Sequence, residues 1–298
     1  DSEIMYTSYS TTTGWSNVTI ISDKFGNNSW NDYYSGDPVI AVDKSNTVHV
    51  LWEDETNGIW GYDREIMYIS YEEMSGWSNV SIISDGHNNI WWNGGFSFDP
   101  AVAIDSIGTI HVVWGDTTYS PSWGGDDEIM YSSYTKTTGW TLPCVISDGY
   151  NDNFWNDDDS YAPAIAIDSD NNLHVTWEDE TDGPWGIDDE IMYANYTILT
   201  GWSNATVISD MYGNNSWNDG YSVNPAIAIG KNHIVHVIWE DYTDGVWGTD
   251  SEIMYSSIPI PIIRKGGDGI ISFGHFNLLI SFIAIIGIII FIKRKKLL

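Results

Sequence analysis

Indole rings and carboxylates are the residues here best suited to chemistry, and they return together. Trp30, Trp60, Trp91, Trp92, Trp123, Trp155, Trp185, Trp217 and Trp247 each stand in a segment rich in Asp, Asn and Gly. Rings beside Asp and Asn can stack on sugars and bond their hydroxyls, so this pairing fits a carbohydrate-binding face. The plainer reading is that each ring packs between structural units while Asp and Asn cap turns. Similar residues recur in every copy, which favours the plainer reading. A single active site normally breaks symmetry, and this sequence barely does.

The carboxylates point to a cation. Asp54, Asp63, Asp157, Asp158, Asp179, Asp188, Asp241 and Asp250 are the candidate ligands, with Glu53, Glu178, Asp189 and Glu240 beside them. Ca²⁺ takes six to eight oxygens from such groups. No stretch has EF-hand spacing, and a solvated acidic surface is the alternative. Paired acids also serve glycosidases, which need two flanking the scissile bond. Every pair is repeated, so none is singled out. The sequence contains neither a Gly-x-Ser-x-Gly elbow nor a Walker-type lysine motif. Cys144 is the single cysteine, so no intrachain disulfide can form. It reads as a small strand residue.

Charge narrows the partners. Acidic residues number 42 against 11 basic ones, a formal net charge of −31. Six of the basic residues lie at or after Arg264. The rest of the chain would repel nucleic acid, whose phosphates need Lys and Arg. It would attract cations and basic surfaces.

A repeat must position all of these groups. Glu-Ile-Met-Tyr begins at Glu3, Glu65, Glu128, Glu190 and Glu252, at intervals of 62 or 63 residues. Gly-Trp recurs at Gly14, Gly76, Gly139 and Gly201, and His-Val at His49, His111, His174 and His236. A fixed period of this size marks a repeat architecture. Each period holds four strand-length apolar runs rich in Val, Ile, Tyr, Trp and Thr. In one copy they are Ala162–Ile167, Leu173–Glu178, Glu190–Tyr196 and Trp202–Ile208. We name these strands A to D. Short turns between them, such as 168–172, predict antiparallel neighbours, with the turn Asp residues as turn formers.

Repeated four-stranded antiparallel sheets predict an all-β β-propeller, with strand A innermost and covered on both faces. The D–A and B–C connections, which carry the Trp and Asp residues, should then share one face. The His residues and Trp52, Trp114, Trp177 and Trp239 read as blade core. The repeat region, 1–257, supplies about four to five blades. Strands C and D come first and A to C last, so either a four-bladed ring closes with one redundant strand or upstream blades are missing, and the start at Asp1 favours a fragment or a trimmed chain.

Residues 258–269 read as a Pro/Gly linker. Then 270–292 is apolar and near the length of a transmembrane helix, and 293–298 holds a basic cluster. The positive-inside rule keeps the basic tail cytoplasmic and the repeats extracellular. This predicts a single-pass protein of the cell membrane.

The strand order resembles sialidase-like propellers with BNR, or Asp-box, repeats. Ser10-Thr11-Thr12-Thr13-Gly14-Trp15 is similar to a degenerate Asp-box that lacks its Asp. The resemblance covers residues 1–256 in outline. It implies a propeller, but sialidases hold the substrate carboxylate with three Arg, and the repeat region has only Arg64. The tail resembles C-terminal anchors of archaeal and bacterial surface proteins, without a Leu-Pro-x-Thr-Gly sorting motif. The expected function is therefore a membrane-anchored extracellular propeller that binds glycans or surface proteins, with Ca²⁺ stabilising its loops. The alternatives are a glycoside hydrolase on a sialidase-like scaffold and a structural cell-surface component.

Overall fold

The computed structural model describes residues 2–23, 33–55, 63–85, 93–120, 124–148, 156, 158–210, 218–231, 233–245 and 248–259. The linker, the apolar span 270–292 and the basic tail lie outside these residues. Among the described residues no helix occurs, and so none is long and apolar enough to cross a membrane.

The chain opens with two short pairs. β1 (Met5–Tyr6) pairs with β4 (Thr19–Ile20), and β2 (Tyr9–Ser10) with β3 (Gly14–Trp15). The first full sheet holds β5 (Ser35–Val42), β6 (Val48–Asp54), β7 (Glu65–Glu72), β8 (Gly76–Trp77) and β9 (Ser81–Ile82). The second holds β10 (Ser97–Ile104), β11 (Ile110–Asp116), β12 (Glu128–Thr135), β13 (Gly139–Trp140) and β14 (Cys144–Val145). The third holds β15 (Ser160–Ile167), β16 (Leu173–Asp179), β17 (Glu190–Thr197), β18 (Gly201–Trp202) and β19 (Thr206–Val207). The last comprises β20 (Ser222–Ile229), β21 (Ile234–Asp241) and β22 (Glu252–Pro259). Every pairing within these sheets is antiparallel.

Local chemistry sets the turns. Asp43 Oδ1 accepts from the N–H groups of Ser45 and Thr47, each at 2.8 Å. Asp168 does the same for Asp170 and Asn172. A side chain that bonds its own backbone two residues on closes the A–B hairpin. The C–D turn places Gly14, Gly76, Gly139 and Gly201 at φ of 76°, 78°, 75° and 73°, a region that favours glycine.

Strand D departs from the single run expected. It forms two short pieces, both paired with strand C. The break is a side-chain intrusion: the N–H of Asn195 donates to Ser203 Oγ at 3.0 Å, and Ser203 Oγ donates to the Asn204 carbonyl. Ser78 repeats the arrangement on Ser70. A hydroxyl that takes over backbone partners interrupts the ladder.

Strand A is innermost, as β5, β10, β15 and β20 line one cavity of about 380 Å³. In β5 it is not covered on both faces, since Ile40 and Val42 are exposed, whereas their counterparts Val102 and Ile104 in β10 are half-buried against a core cluster. β11 is buried along its whole length, so strand B carries the core. There Trp52, Trp114, Trp177 and Trp239 are buried, each in an apolar cluster between sheets. The His residues also belong to the core. His49, His111, His174 and His236 share hydrogen bonds of 2.7–2.8 Å with Tyr68, Tyr131, Tyr193 and Tyr255.

One backbone bond recurs between consecutive sheets. Ser35, Ser97, Ser160 and Ser222 donate their N–H to the carbonyls of Ser2, Arg64, Asp127 and Asp189. Just beyond each Ser, the A–B register shifts by a bulge. Asp37, Asp99, Ala162 and Asn224 sit there at positive φ, each followed by a proline.

Candidate functional site

Most of the Trp candidates lie outside the described residues: Trp30, Trp60, Trp91, Trp92, Trp123, Trp155, Trp217 and Trp247. Trp185 is half-buried. Its indole N–H donates to the Thr181 carbonyl at 3.1 Å, and its ring packs against the third core cluster.

The acidic candidates divide. Asp157 lies outside the described residues. Asp54, Asp179 and Asp241, together with Asp116, end strand B in the interior. They accept from the indole N–H of Trp52, Trp177, Trp239 and Trp114 at 2.8–3.1 Å. Ser35, Ser97, Ser160 and Ser222 donate to the same carboxylates. Asp63, Asp188 and Asp250 come from the B–C connection, two residues before the Glu of strand C, which is buried at Glu65 and Glu190 and half-buried at Glu252. Asp158 meets Asp159 and Glu180, with one oxygen of each within 4.8 Å of the others. A second such group joins Asp168, Asp170 and His233.

The D–A and B–C connections do converge. Asn93, Asn156 and Asn218, from the D–A side, accept from the hydroxyls of Thr118, Thr181 and Thr243 on the B–C side.

The end of the axial cavity breaks the symmetry of the repeats. Where one copy has Tyr34, the others have Phe96, Asp159 and Tyr221. Asp37 corresponds to Asp99, Ala162 and Asn224, and Glu53 to Gly115, Glu178 and Glu240. Arg64 corresponds to Asp127, Asp189 and Ser251. Several of these positions are linked at the mouth, across neighbouring sheets. Arg64 donates to Glu53 at 2.8 Å and to Glu55 at 2.6 Å. Its guanidinium lies 5.7 Å from the Tyr34 ring centroid and 6.0 Å from that of Phe96. Glu53 accepts the Asp99 N–H at 2.7 Å, and Glu178 accepts the Asn224 N–H at 3.2 Å. Tyr161 donates its hydroxyl to Asp159 at 2.6 Å, and Asp159 accepts the N–H of Asp127 at 2.8 Å.

Four acids of the mouth, Glu178, Asp127, Glu53 and Asp99, hold protons unusually well. Burial pushes Glu178 up to about 7, helped by Asp189, Glu180 and Asp99. Burial and then Asp159 push Asp127 up to about 6. Both effects disfavour the charged form. Glu53 and Asp99 are also raised, first by burial, with Arg64 opposing the shift.

Sequence reasoning named Glu53, Glu178, Asp189 and Glu240 only as metal candidates and missed the mouth, because it weighed the long loops, where the copies agree. The signal lay in the columns of Tyr34, Asp37, Glu53 and Arg64, where they disagree.

No family model matches this sequence, and no curated protein matches it. Solved structures do match. A Hadza microbial sialidase superposes with a TM-score of 0.52 at 13% identity, covering 74% of this chain and 44% of that one. A mutant α-L-arabinofuranosidase from Fusarium graminearum, in complex with an iminosugar inhibitor, gives 0.51 at 14% identity, covering 76% and 64%. A protein of unknown function from Dyadobacter fermentans gives 0.51 at 10% identity, covering 76% and 66%. This chain thus spans less than two thirds of each. At such identities the likeness shows the fold alone. That fold is an all-β propeller.

Proposed function

We propose that this chain binds glycans at the axial mouth. The observation that carries the reading is the symmetry break there. Rings that repeat-wide packing does not require are left exposed: Phe96, 53% exposed, and Tyr34, 40% exposed, flank Arg64, while Tyr221 lines a neighbouring pocket with Trp185 and Asn218. Exposed rings offer stacking faces, and the acids and Arg64 offer partners for hydroxyls. The names of the neighbours, a sialidase and an arabinofuranosidase, support a glycan ligand on this scaffold.

A second reading is glycoside hydrolysis, and Glu178 favours it. A carboxyl that keeps its proton to about pH 7, beside the further carboxyl groups of Asp189 and Glu180, is the pairing a glycosidase uses as proton donor and partner. The apolar segment 270–292 supports an anchored chain with an extracellular propeller, for which surface proteins are further partners.

A glycan array with the full chain tests the first reading. Binding should appear, and Phe96→Ala and Tyr34→Ala should weaken it at least tenfold. An empty array, or unaltered binding in both variants, rejects the mouth. Turnover of chromogenic glycosides that Glu178→Gln abolishes would establish the hydrolase in place of the binder.

A further inference from the structure

The A–B turns of consecutive sheets touch one another. Lys44 donates Nζ to the Ser106 carbonyl at 2.9 Å, and Ser106 donates its N–H to Asn171 Oδ1 at 2.9 Å. Between the third sheet and the last, the meeting groups change in kind. Asp168 and Asp170 stand in the turn between β15 and β16, and His233 in the turn between β20 and β21. One ligand atom from each lies within 4.8 Å of the other two.

Two of these three residues break the repeat. Asp170 stands where the other copies have Ser45, Ile107 and Asn232, and His233 where they have Asn46, Gly108 and Asn171. Asn46, Gly108, Asn171 and His233 have φ of 60°, 89°, 63° and 58°, so the backbone of the turn is the same throughout. Asn and Gly suit that conformation, and the turn itself does not call for an imidazole.

A buried nitrogen points at the same place. His174 is 2% exposed, shares Nδ1 with Tyr193 and leaves Nε2 without a hydrogen-bond partner. That Nε2 faces Asp168 Oδ2 at 3.6 Å, too far for a hydrogen bond. Buried polar atoms are normally satisfied. His111 leaves the same nitrogen idle against Asp105, but there Ile107 and Asn171 replace the carboxylate and the imidazole. Among the described residues, only the third and last sheets bring together such a set that includes an imidazole.

Asp168 is prepared as a ligand. Burial opposes its ionisation, but the hydrogen bonds from Asn172 and Asp170 outweigh it and hold the carboxyl below its ordinary value. The group is therefore charged at neutral pH. The same bonds fix its direction, as the carboxylates of metal sites are held by groups behind them. Ca²⁺ and Mg²⁺ take oxygen ligands, whereas an imidazole suits first-row metals such as Zn²⁺. Zn²⁺ accepts His nitrogen and Asp oxygen, and three protein ligands leave its fourth position to water.

We propose that Asp168, Asp170 and His233 bind one Zn²⁺ ion, which joins the third sheet to the last. β15 runs from Ser160 at the mouth to Ile167 beside the turn, so the site lies at the other end of strand A. It stands or falls independently of any glycan.

Equilibrium dialysis of the chelator-stripped full chain against Zn²⁺ tests this, with Ca²⁺ in excess to occupy the solvated acids. At least one Zn²⁺ should bind per chain. His233→Asn and Asp170→Ser install residues that other copies carry at these positions, so both variants should fold, and each should bind one ion fewer. Co²⁺ in place of Zn²⁺ should give visible absorption bands that His233→Asn alters. A parent chain that binds no Zn²⁺ in excess Ca²⁺ overturns the proposal. So does a count unchanged in either variant.

Discussion

Trp177 donates its indole N–H to Asp179, two residues along the same strand and 2.8 Å away. The largest ring of the core is thereby tied to an acid that also accepts from Ser160 Oγ and the Thr181 N–H. The same node recurs at Trp52, Trp114 and Trp239. Removing the acid orphans several buried donors at once. Asp179→Ala should cost about 3 kcal/mol, the upper end for a lost buried partner. Chemical denaturation with tryptophan fluorescence measures this, and a cost below about 0.5 kcal/mol would show the node to be unimportant.

The histidines set a pH response. Burial holds His49, His111 and His174 below the ordinary 6.5, against the pull of Asp43, Asp105 and Asp168. A lowered folded value means that the unfolded chain binds the proton more readily. The contribution of these groups is whole above about pH 6.5 and is lost as pH falls through the folded value. Several carboxyl groups shift the other way, so the comparison must isolate one histidine. The melting temperature of the parent chain minus that of His174→Gln should shrink between pH 7.5 and 5. A constant difference contradicts a buried neutral imidazole.

Glu178 responds in the opposite sense. Its folded value of about 7 lies above the ordinary carboxylate value, so its contribution is full in acid and is lost as pH rises through about 7. Glycan affinity of the parent chain should change between pH 6 and 8. Glu178→Gln, which mimics the protonated acid, should flatten that profile at the acid-side value. Identical profiles would remove Glu178 from the ligand's surroundings.

The C–D turn isolates backbone strain from packing. Gly201 has φ of 73°, and a Cβ there would meet nothing within 4 Å. Gly201→Ala should cost about 1 kcal/mol from the left-handed conformation alone, and Gly201→Asn less. Equal costs for the two variants would point to some other origin.

Much of this fold was legible in the sequence, because a repeat multiplies each weak signal. One Asp-Ser-Asp-Asn-Asn run predicts a turn; three related runs 62 or 63 residues apart, around Asp43, Asp105 and Asp168, fix the A–B hairpin of three copies, and the fourth turns at Gly230. The tryptophans of strand B followed for the same reason. What escaped depends on atoms rather than on residue types. Ser203 looks like any polar strand residue until its hydroxyl takes the N–H of Asn195 and splits strand D. The positive φ of Asp99 and Ala162 leaves no compositional mark beyond the proline that follows. Asp179 and Glu128 are both acids in acidic stretches. That one is saturated by Trp177 and Ser160 while the other keeps an idle oxygen is a matter of direction, which spacing does not encode.

The backbone link from Ser160 to Asp127 has a corollary for how such a chain can change. Its donor and acceptor are main-chain groups, so the joint does not depend on which side chains flank it. Every copy supplies the donor at its start and the acceptor before its third strand. A whole copy lifted out or spliced in would bring matching halves with it, so variation is free to proceed by entire units while the rim residues of each drift separately.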